Sequence, residues 1–253
     1  MSEHIIHERD EAIVTLSIDR QRQKNALTAE MYDVLSAHID DANADSGVRV
    51  IVLTGRGRDF SAGNDLIDFL ENPPADMSSP VFRFIQAVRQ SPKLVVAAVE
   101  GLAIGIGTTI LLHCDLVYAA EDARFKMPFV DLGVTPEAGS SYLLPASFGF
   151  QRAAELLYLC PVFDAKTAQE AGFITRIVGS GAALDAAKEA AAQLSVKAPE
   201  ALKKTKELMK TEGDTLSERM ASEAVVFGQG LQGREFKEAV AAFQEKRKPN
   251  FSN

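Results

Sequence analysis

Buried strands alternate with helices in the part of the chain that precedes Ala182, and this alternation restricts the fold to few architectures. Residues 48–54, 93–99 and 115–120 are near-continuous apolar runs, which is the pattern of strands buried on both faces. Helical segments separate these runs, and crossover helices between buried strands place the strands parallel in one sheet. The sequence therefore predicts an α/β architecture with parallel strand pairing.

Two of the helices can be placed by the residues that begin them. Thr28 is of a type that caps helices, and apolar residues recur on one helical face after it: Met31, Leu35, Ile39 and Ala42. Ser79 followed by Pro80 is a second start signal, since proline is tolerated at the first helical position. A third helix is predicted over residues 105–113.

Composition excludes several classes of function. The 253 residues carry a net charge of −8, which argues against a nucleic-acid partner, because binding to phosphate depends on lysine and arginine. No run of about 18 uncharged apolar residues exists, so neither a transmembrane helix nor a membrane partner is predicted. The histidines have no metal-binding spacing with Cys114 and Cys160, which we expect to be buried thiols, so no metal site is predicted.

The character of the sequence changes at Ala182, after which alanine, lysine and glutamate dominate at helical spacing. We expect this tail to be entirely helical. The nearest thing to a boundary is the segment 196–199, which contains a proline. We accordingly divide the chain into a core, residues 1–195, and a helical C-terminal region, residues 196–253.

Two loops of small residues, 60–66 and 101–107, each follow a buried strand. Small side chains let a ligand approach the backbone N–H groups, and two such loops can aim two N–H donors at one oxygen. That is the geometry of an oxyanion hole. Tight turns and close strand-to-helix packing explain the same residues without a ligand, and both interpretations stay open at this level.

An acid in a similar setting of small residues, Glu137, follows later in the chain. Two N–H donors and one carboxylate suffice to move a proton beside a carbonyl group. The local sequence, however, also fits an ordinary helix start. Thr135 would be the N-cap, Pro136 the first helical residue and Glu137 an acid in the first turn. His113 lies in an apolar helical segment, where a structural histidine is more common than a catalytic one.

Together these segments resemble the crotonase superfamily of enoyl-CoA hydratases and isomerases over nearly the whole chain. The matching segments are residues 24–27, 60–66, 97–107, 114–115, 168–172 and 243–251. The resemblance implies a right-handed spiral of stacked ββα turns, followed by C-terminal helices that build homotrimers or dimers of trimers. It also implies an acyl-CoA substrate, with no cofactor beyond the coenzyme A that the substrate carries.

The same resemblance implies where the substrate binds. The thioester oxygen would lie between the backbone N–H groups of Asn64 and Ile106. Main-chain groups around Asn64 would contact coenzyme A, namely those of Ala62, Gly63, Asn64, Asp65 and Leu66, and the Asp65 side chain is expected to fix this loop rather than react. Candidate cations for the phosphates are Arg22, Lys24 and Lys246, the last from a neighbouring subunit. Candidate walls of the acyl pocket are Phe129, Leu132 and Val134.

The acids distinguish this chain from the hydratases that it resembles. Hydratases of this superfamily use two glutamates, whose positions are occupied here by Thr109 and Phe129, so hydration by the familiar route is not expected. The segment 127–142 instead resembles Δ3,Δ2-enoyl-CoA isomerases of the peroxisomal type. In those enzymes one glutamate, at the position of Glu137, does the chemistry.

Two rival functions stay open. One is another crotonase-type reaction on acyl-CoA, that of a lyase, a hydrolase or a hydratase, for example hydration by an unusual acid pair in which Asp131 assists Glu137. Asp131 also has the character of an exposed loop acid. The other is a protein that binds acyl-CoA without catalysis. The first residues lack signal-peptide character and the last three are not the Ser-Lys-Leu peroxisomal address, so the expected location is the cytoplasm.

Overall fold

The computed structural model describes residues 3–211 and 213–251, which contain nine strands and eleven α-helices. The strands are β1 (Ile5–Asp10), β2 (Ile13–Ile18), β3 (Val50–Gly55), β4 (Leu94–Val99), β5 (Leu102–Ile104), β6 (Leu116–Ala120), β7 (Arg124–Lys126), β8 (Phe163–Asp164) and β9 (Arg176–Val178). The helices are α1 (Ala29–Ala44), α2 (Leu66–Glu71), α3 (Pro80–Gln90), α4 (Ile106–Thr109), α5 (Ser140–Phe148), α6 (Phe150–Tyr158), α7 (Ala165–Glu170), α8 (Ala183–Ser195), α9 (Pro199–Lys210), α10 (Leu216–Gln232) and α11 (Arg234–Glu245). Short 3-10 turns cover Gln21–Gln23, Ile110–His113 and Val130–Leu132.

Six strands form the main sheet in the order β1-β2-β3-β4-β6-β9. β1 runs antiparallel to β2, and every later pair of neighbours in this sheet is parallel. The predicted strands at 48–54, 93–99 and 115–120 are β3, β4 and β6, so the parallel α/β core is confirmed. Their side chains are almost completely buried, as the continuous apolar runs require.

A second, smaller sheet is made of β5, β7 and β8. It continues beyond β5 as single parallel bridges, which join Ala103 to Ser61 and Asn64 to Leu27. Each of the loops that follow β3 and β4 therefore supplies a short segment to this second layer before the next helix begins. This is the repeat of two strand segments and one helix that the resemblance implies.

Helix starts follow the predicted signals, with one difference in detail. The Thr28 hydroxyl accepts the Met31 N–H at 3.4 Å, and the predicted apolar face of α1 is buried. Helix α3 begins at Pro80 as predicted. The Ser79 hydroxyl, however, accepts N–H groups from the preceding turn, those of Ala75 at 2.9 Å and Asp76 at 3.2 Å, and caps no N–H of α3.

Packing divides the chain into two compact units, which meet in sequence between Ala191 and Ala192. The described residues of the second unit are helical and contain no strand, which confirms the predicted helical tail. The functional division after residue 195 stays a prediction. No described helix has both the length and the apolar character that crossing a membrane requires. Both cysteines are free thiols, and Cys160 is buried as predicted whereas Cys114 is half-buried.

Candidate active site

The two small-residue loops lie against each other at the ends of β3 and β4. The Ser61 N–H donates to the Leu102 carbonyl at 2.9 Å, and the Ile104 N–H donates to the Ser61 carbonyl at 2.9 Å. A Cβ on Gly63 would lie 2.6 Å from the Ile104 carbonyl oxygen, and one on Gly107 would lie 2.8 Å from the Ser61 carbonyl oxygen. Because side chains cannot occupy such short distances, only glycine permits this approach.

The loop arrangement leaves the backbone N–H groups of Asn64 and Ile106 without an acceptor among the described residues. Gly63 and Asp65 are both tied to Leu27, since the Leu27 N–H donates to the Gly63 carbonyl and the Asp65 N–H donates to the Leu27 carbonyl, each at 2.8 Å. The N–H of Asn64 between them therefore faces away from Leu27, and no acceptor for it lies among the described residues. Ile106 is the first residue of α4, and its N–H likewise has no acceptor in the described part of the chain.

Asn25 holds the first of these loops in place. It is completely buried, and its side-chain amide donates to the carbonyl oxygens of Arg56 at 3.0 Å and Asp59 at 2.6 Å. Its own carbonyl accepts the Ser61 hydroxyl at 2.8 Å. Sequence reasoning used Asn25 only as part of a matching segment. A positive φ of 59° at Asn25 explains why asparagine suits this position, since it tolerates the left-handed region better than most residues.

Glu137 is not part of a helix, so the local interpretation of Thr135, Pro136 and Glu137 as a helix start is wrong. Helix α5 begins only at Ser140, after two residues with positive φ, Ala138 and Gly139. The Ser140 N–H and hydroxyl both donate to the Glu137 carbonyl, at 2.9 and 2.6 Å. This turn interrupts the helix that the local signal predicts.

The Glu137 carboxyl group reaches the helix that begins at Ile106. Its Oε1 forms a short hydrogen bond with the hydroxyl of Thr109, the last residue of α4. Its Oε2 is buried and has no hydrogen-bond partner among the described residues. Burial raises the pKa of Glu137 from 4.5 to about 7, against the opposing effect of the Thr109 hydrogen bond. Such a pKa lets one group accept and return a proton near neutral pH.

Tyr32 hydrogen-bonds the loop at Asn64, and sequence reasoning missed it. Its hydroxyl donates to Asn64 Oδ1 at 2.5 Å. Burial raises the pKa of Tyr32 well above its usual value, and the nearby charges of Glu137 and Asp68 add to the effect. Tyr32 also lines a cavity of about 330 Å³ together with Phe69 and with residues of α1, α3 and the loop between α2 and α3. The only available signal was a tyrosine on the buried face of α1.

His113 has the structural surroundings that the sequence favours. It is buried, and its Nε2 hydrogen-bonds the Ala138 carbonyl at 2.7 Å. Because a carbonyl oxygen only accepts, Nε2 carries the proton in this bond. His113 thus supports the turn that carries Glu137.

Asp65 occupies a structural position. Its carboxylate pairs with Arg20 at 2.6 Å and accepts the N–H groups of Ile67 and Asp68 at the start of α2. The Arg20 hydrogen bond is the main cause that lowers the pKa of Asp65. Asp65 therefore fixes the loop that follows Asn64, in agreement with the role expected for its side chain.

The remaining predicted site residues lie in several places. Lys24 lies beside the first loop, because its carbonyl accepts the Ala62 N–H at 2.9 Å, and its side chain is exposed. Arg22 is exposed in the adjacent 3-10 turn. Lys246 is exposed at the end of α11, in the second unit. Among the predicted pocket walls, Phe129 is buried whereas Leu132 and Val134 are 51% and 53% exposed. These three residues do not line the cavity beside Tyr32.

The carboxylate of Asp131 contacts different residues from those that contact the Glu137 carboxyl group. Its carboxylate forms an ion pair with Lys126 at 2.8 Å, and half of its side chain is exposed. An exposed ion pair of this kind contributes little to stability. The described contacts of Glu137 do not include Asp131.

The free energy of unfolding is expected to depend on pH through Glu137. Between pH 4.5 and about 7 the folded state holds a proton that the unfolded state has released. Stability therefore falls as pH rises through this range and levels off above it. Since one pH unit corresponds to about 1.4 kcal/mol, the loss is on the order of 3 kcal/mol.

Urea unfolding of the wild type and of Glu137→Gln across this range measures the effect. The variant lacks the titrating group, so its stability relative to the wild type should increase as pH rises. A difference between the two proteins that stays constant with pH would contradict the buried, proton-holding carboxyl group.

Comparison with known proteins finds relatives over the whole length of this chain. A family model described as enoyl-CoA hydratase/isomerase matches residues 8–253. A 1,2-epoxyphenylacetyl-CoA isomerase from Escherichia coli (strain K12) is 34% identical over 262 residues, with 100% of this chain and 99% of the relative covered. A crotonyl-CoA hydratase from Syntrophomonas wolfei is 34% identical, with 98% of each chain covered.

Solved structures extend the agreement to three dimensions. A structure from Magnetospirillum magneticum AMB-1, named after enoyl-CoA hydratase and carnithine racemase, is 45% identical over 100% of both chains, with a TM-score of 0.97. An enoyl-CoA hydratase from Polaromonas sp. JS666 is 32% identical over 97% of this chain and 98% of the other, with a TM-score of 0.91. The chain therefore belongs to the enoyl-CoA hydratase/isomerase family and has the crotonase fold, an α/β core with a C-terminal helical region.

Proposed function

We propose that the protein is an enoyl-CoA isomerase that moves a double bond from the 3-position to the 2-position of an acyl-CoA, in the manner of the peroxisomal-type Δ3,Δ2 isomerases. The observation that carries this proposal is the buried carboxyl group of Glu137, one oxygen of which has no hydrogen-bond partner among the described residues. An isomerase needs one base, because the same carboxylate can remove and return the proton. Hydration needs groups for both water and carbon, and Thr109 and Phe129 supply no acid at the usual hydratase positions.

In the proposed reaction, the free Oε2 of Glu137 removes a proton from C2 of the 3-enoyl-CoA. The electrons of the broken C–H bond form a dienolate, whose negative charge is shared with the thioester oxygen. The N–H groups of Asn64 and Ile106 donate to that oxygen. Protonated Glu137 then returns its proton to C4, which leaves the double bond between C2 and C3.

The proposed groups supply effects of known size. Removing one donor from an oxyanion hole typically raises the barrier by about 3 kcal/mol, because the charge develops where the donor already points. General base catalysis contributes roughly 10²–10⁴-fold. The pKa of about 7 places Glu137 where both the removal and the return of the proton are accessible.

The remaining expectations are part of this proposal. The backbone at Ala62–Leu66 binds coenzyme A, with Arg22 and Lys24 near its phosphates and Lys246 supplied by a neighbouring subunit. Phe129, Leu132 and Val134 face the acyl chain. The protein acts in the cytoplasm as a homotrimer or a dimer of trimers. It uses no metal and no cofactor beyond the coenzyme A of its substrate.

Separate incubation with a 3-enoyl-CoA and a 2-enoyl-CoA tests the proposed reaction. We expect the 3-enoyl substrate to become the conjugated 2-enoyl product, which is followed by its ultraviolet absorbance and by mass. Accumulation of hydroxyacyl-CoA as the main product would replace this proposal with a hydratase. The hydratase names among the relatives make that the second candidate.

A further inference from the structure

We propose that Thr109 is a positioning residue that holds one oxygen of Glu137, so that only the other oxygen exchanges a proton with the substrate. This inference deepens the proposed isomerase function and rests on it for the identity of the substrate. It assigns to Thr109 a role of its own, where the sequence shows only the absence of an acid.

The Thr109 side chain lies between its own helix and the turn that carries Glu137. Thr109 is completely buried, and its hydroxyl contacts two groups, Glu137 Oε1 and the Gly105 carbonyl at 3.3 Å. The contact with the Gly105 carbonyl is common for a threonine in a helix, whose hydroxyl often bonds the carbonyl four residues earlier. The contact with Glu137 crosses from α4 to the turn before α5 and is therefore a tertiary contact.

The Thr109 hydroxyl has one proton and can donate it fully to only one of its two contacts. The Gly105 carbonyl already accepts the N–H groups of Thr108 at 2.9 Å and Thr109 at 3.0 Å, so the hydroxyl contact at 3.3 Å is the weakest of three. An ionised carboxylate only accepts hydrogen bonds, and a hydrogen bond to a charged acceptor is about twice as strong as a neutral one. The hydroxyl proton therefore points at Glu137 Oε1 when the base is ionised.

The other oxygen of Glu137, Oε2, exchanges the proton. With Oε1 occupied by Thr109, the buried and unpartnered Oε2 is the oxygen left to take a proton. The proton taken at Oε2 stays on Oε2 and is returned from it, so no rotation of the carboxyl group is needed between the two transfers. The Thr109 hydroxyl donates to Oε1 whether Glu137 is ionised or protonated, and the hydrogen bond is stronger when Glu137 is ionised.

The hydrogen bond between Thr109 and Glu137, the Thr109 anchor, also fixes Glu137 relative to the Ile106 N–H, one of the proposed oxyanion donors. Ile106 and Thr109 are the first and last residues of α4 and are one helical turn apart. The helix that presents the Ile106 N–H therefore also holds the base. Of the other ionisable groups near the carboxyl, the Tyr32 hydroxyl donates to Asn64, and His113 holds the Ala138 carbonyl.

The test compares Thr109→Val, which removes the hydroxyl at similar volume, with Thr109→Ser, which keeps it. For Thr109→Val we expect kcat to fall about 10- to 100-fold, as for loss of a hydrogen bond to a charged group, with KM nearly unchanged. The pH at which activity reaches half of its maximum should be higher in this variant than in the wild type, where we expect it near 7. The reason is that the Thr109 hydrogen bond favours the ionised form of Glu137. Thr109→Ser should restore most of kcat and the wild-type pH profile.

Thr108→Val is the matched control. Thr108 is equally buried in the same helix, but its hydroxyl donates to the Ala103 carbonyl at 2.5 Å and does not contact Glu137. This variant should lose stability while its pH profile stays that of the wild type. An equal shift of the profile in both valine variants would overturn the proposal, and so would a Thr109→Val enzyme with unchanged kcat and pH profile.

Titration of the Glu137 carboxyl group without substrate separates this inference from the proposed function. Infrared difference spectra of the ligand-free protein, with Glu137→Gln to identify the signal, report its ionisation directly. A higher midpoint in Thr109→Val supports the anchor even if the wild type has no isomerase activity, in which case only the proposed function fails. An unchanged midpoint in an active isomerase overturns the anchor and leaves the proposed function standing.

Discussion

Glu137→Gln is expected to reduce the turnover of a 3-enoyl-CoA by roughly 10²–10⁴-fold, the usual contribution of a general base. The amide is nearly the same size as the carboxylate, and its oxygen can still accept the Thr109 hydroxyl hydrogen bond. It cannot take up a proton at neutral pH. The loss should therefore appear in kcat, while the affinity for a saturated acyl-CoA, measured by calorimetry, stays close to that of the wild type.

Asp131→Asn is the matched control for this substitution. It also exchanges a carboxylate for an amide, but at a half-exposed residue that pairs with Lys126. We expect turnover within about twofold of the wild type, as for other surface substitutions. A large loss in Asp131→Asn together with hydroxyacyl product would instead favour the two-acid hydratase.

The comparison of the wild type with Glu137→Gln also distinguishes catalysis from simple binding. If the wild type and Glu137→Gln bind acyl-CoA equally and neither converts any enoyl-CoA, the protein is a binding member of its family. Conversion by the wild type that survives in Glu137→Gln would show that another group is the base.

Much of the fold could be predicted because its strongest elements depend on local sequence. β3, β4 and β6 are buried on both faces, so each one is a continuous apolar run that needs no information from elsewhere in the chain. β5, β7 and β8 were not predicted, since strands of two or three residues are too short to show a periodic pattern. Their pairing depends on the neighbours that the fold brings beside them.

The site was predictable in its parts and not in its contacts. The glycines of both loops indicated a close backbone approach, and Gly63 and Gly107 are indeed at positions where a side chain would collide. The environment of Glu137 could not be read locally, because the residues before it favour a helix start that the structure does not form. The contact with Thr109 joins residues 28 positions apart in sequence and appears only when α4 and the turn are folded.

Ile106→Pro is the second substitution with a large expected effect, because it removes the proposed oxyanion donor itself. A main-chain N–H cannot be deleted by changing a side chain, but proline lacks it. Ile106 is the first residue of α4, where proline is tolerated, and its N–H makes no hydrogen bond within the described residues. The helix therefore loses no internal hydrogen bond in this variant.

Because Ile106 is fully buried, the control must lose the same amount of side chain while keeping the N–H. Ile106→Val does this, at a cost of about 0.5–1.5 kcal/mol in stability. We expect Ile106→Pro to lose about 10²–10³-fold in kcat, and Ile106→Val to lose little, once circular dichroism shows both to be folded. Since the charge on the thioester oxygen exists only in the transition state and the intermediate, the proline variant should keep its affinity for acyl-CoA. Equal losses in the two variants would mean that side-chain packing, and not the N–H group, accounts for the role of Ile106.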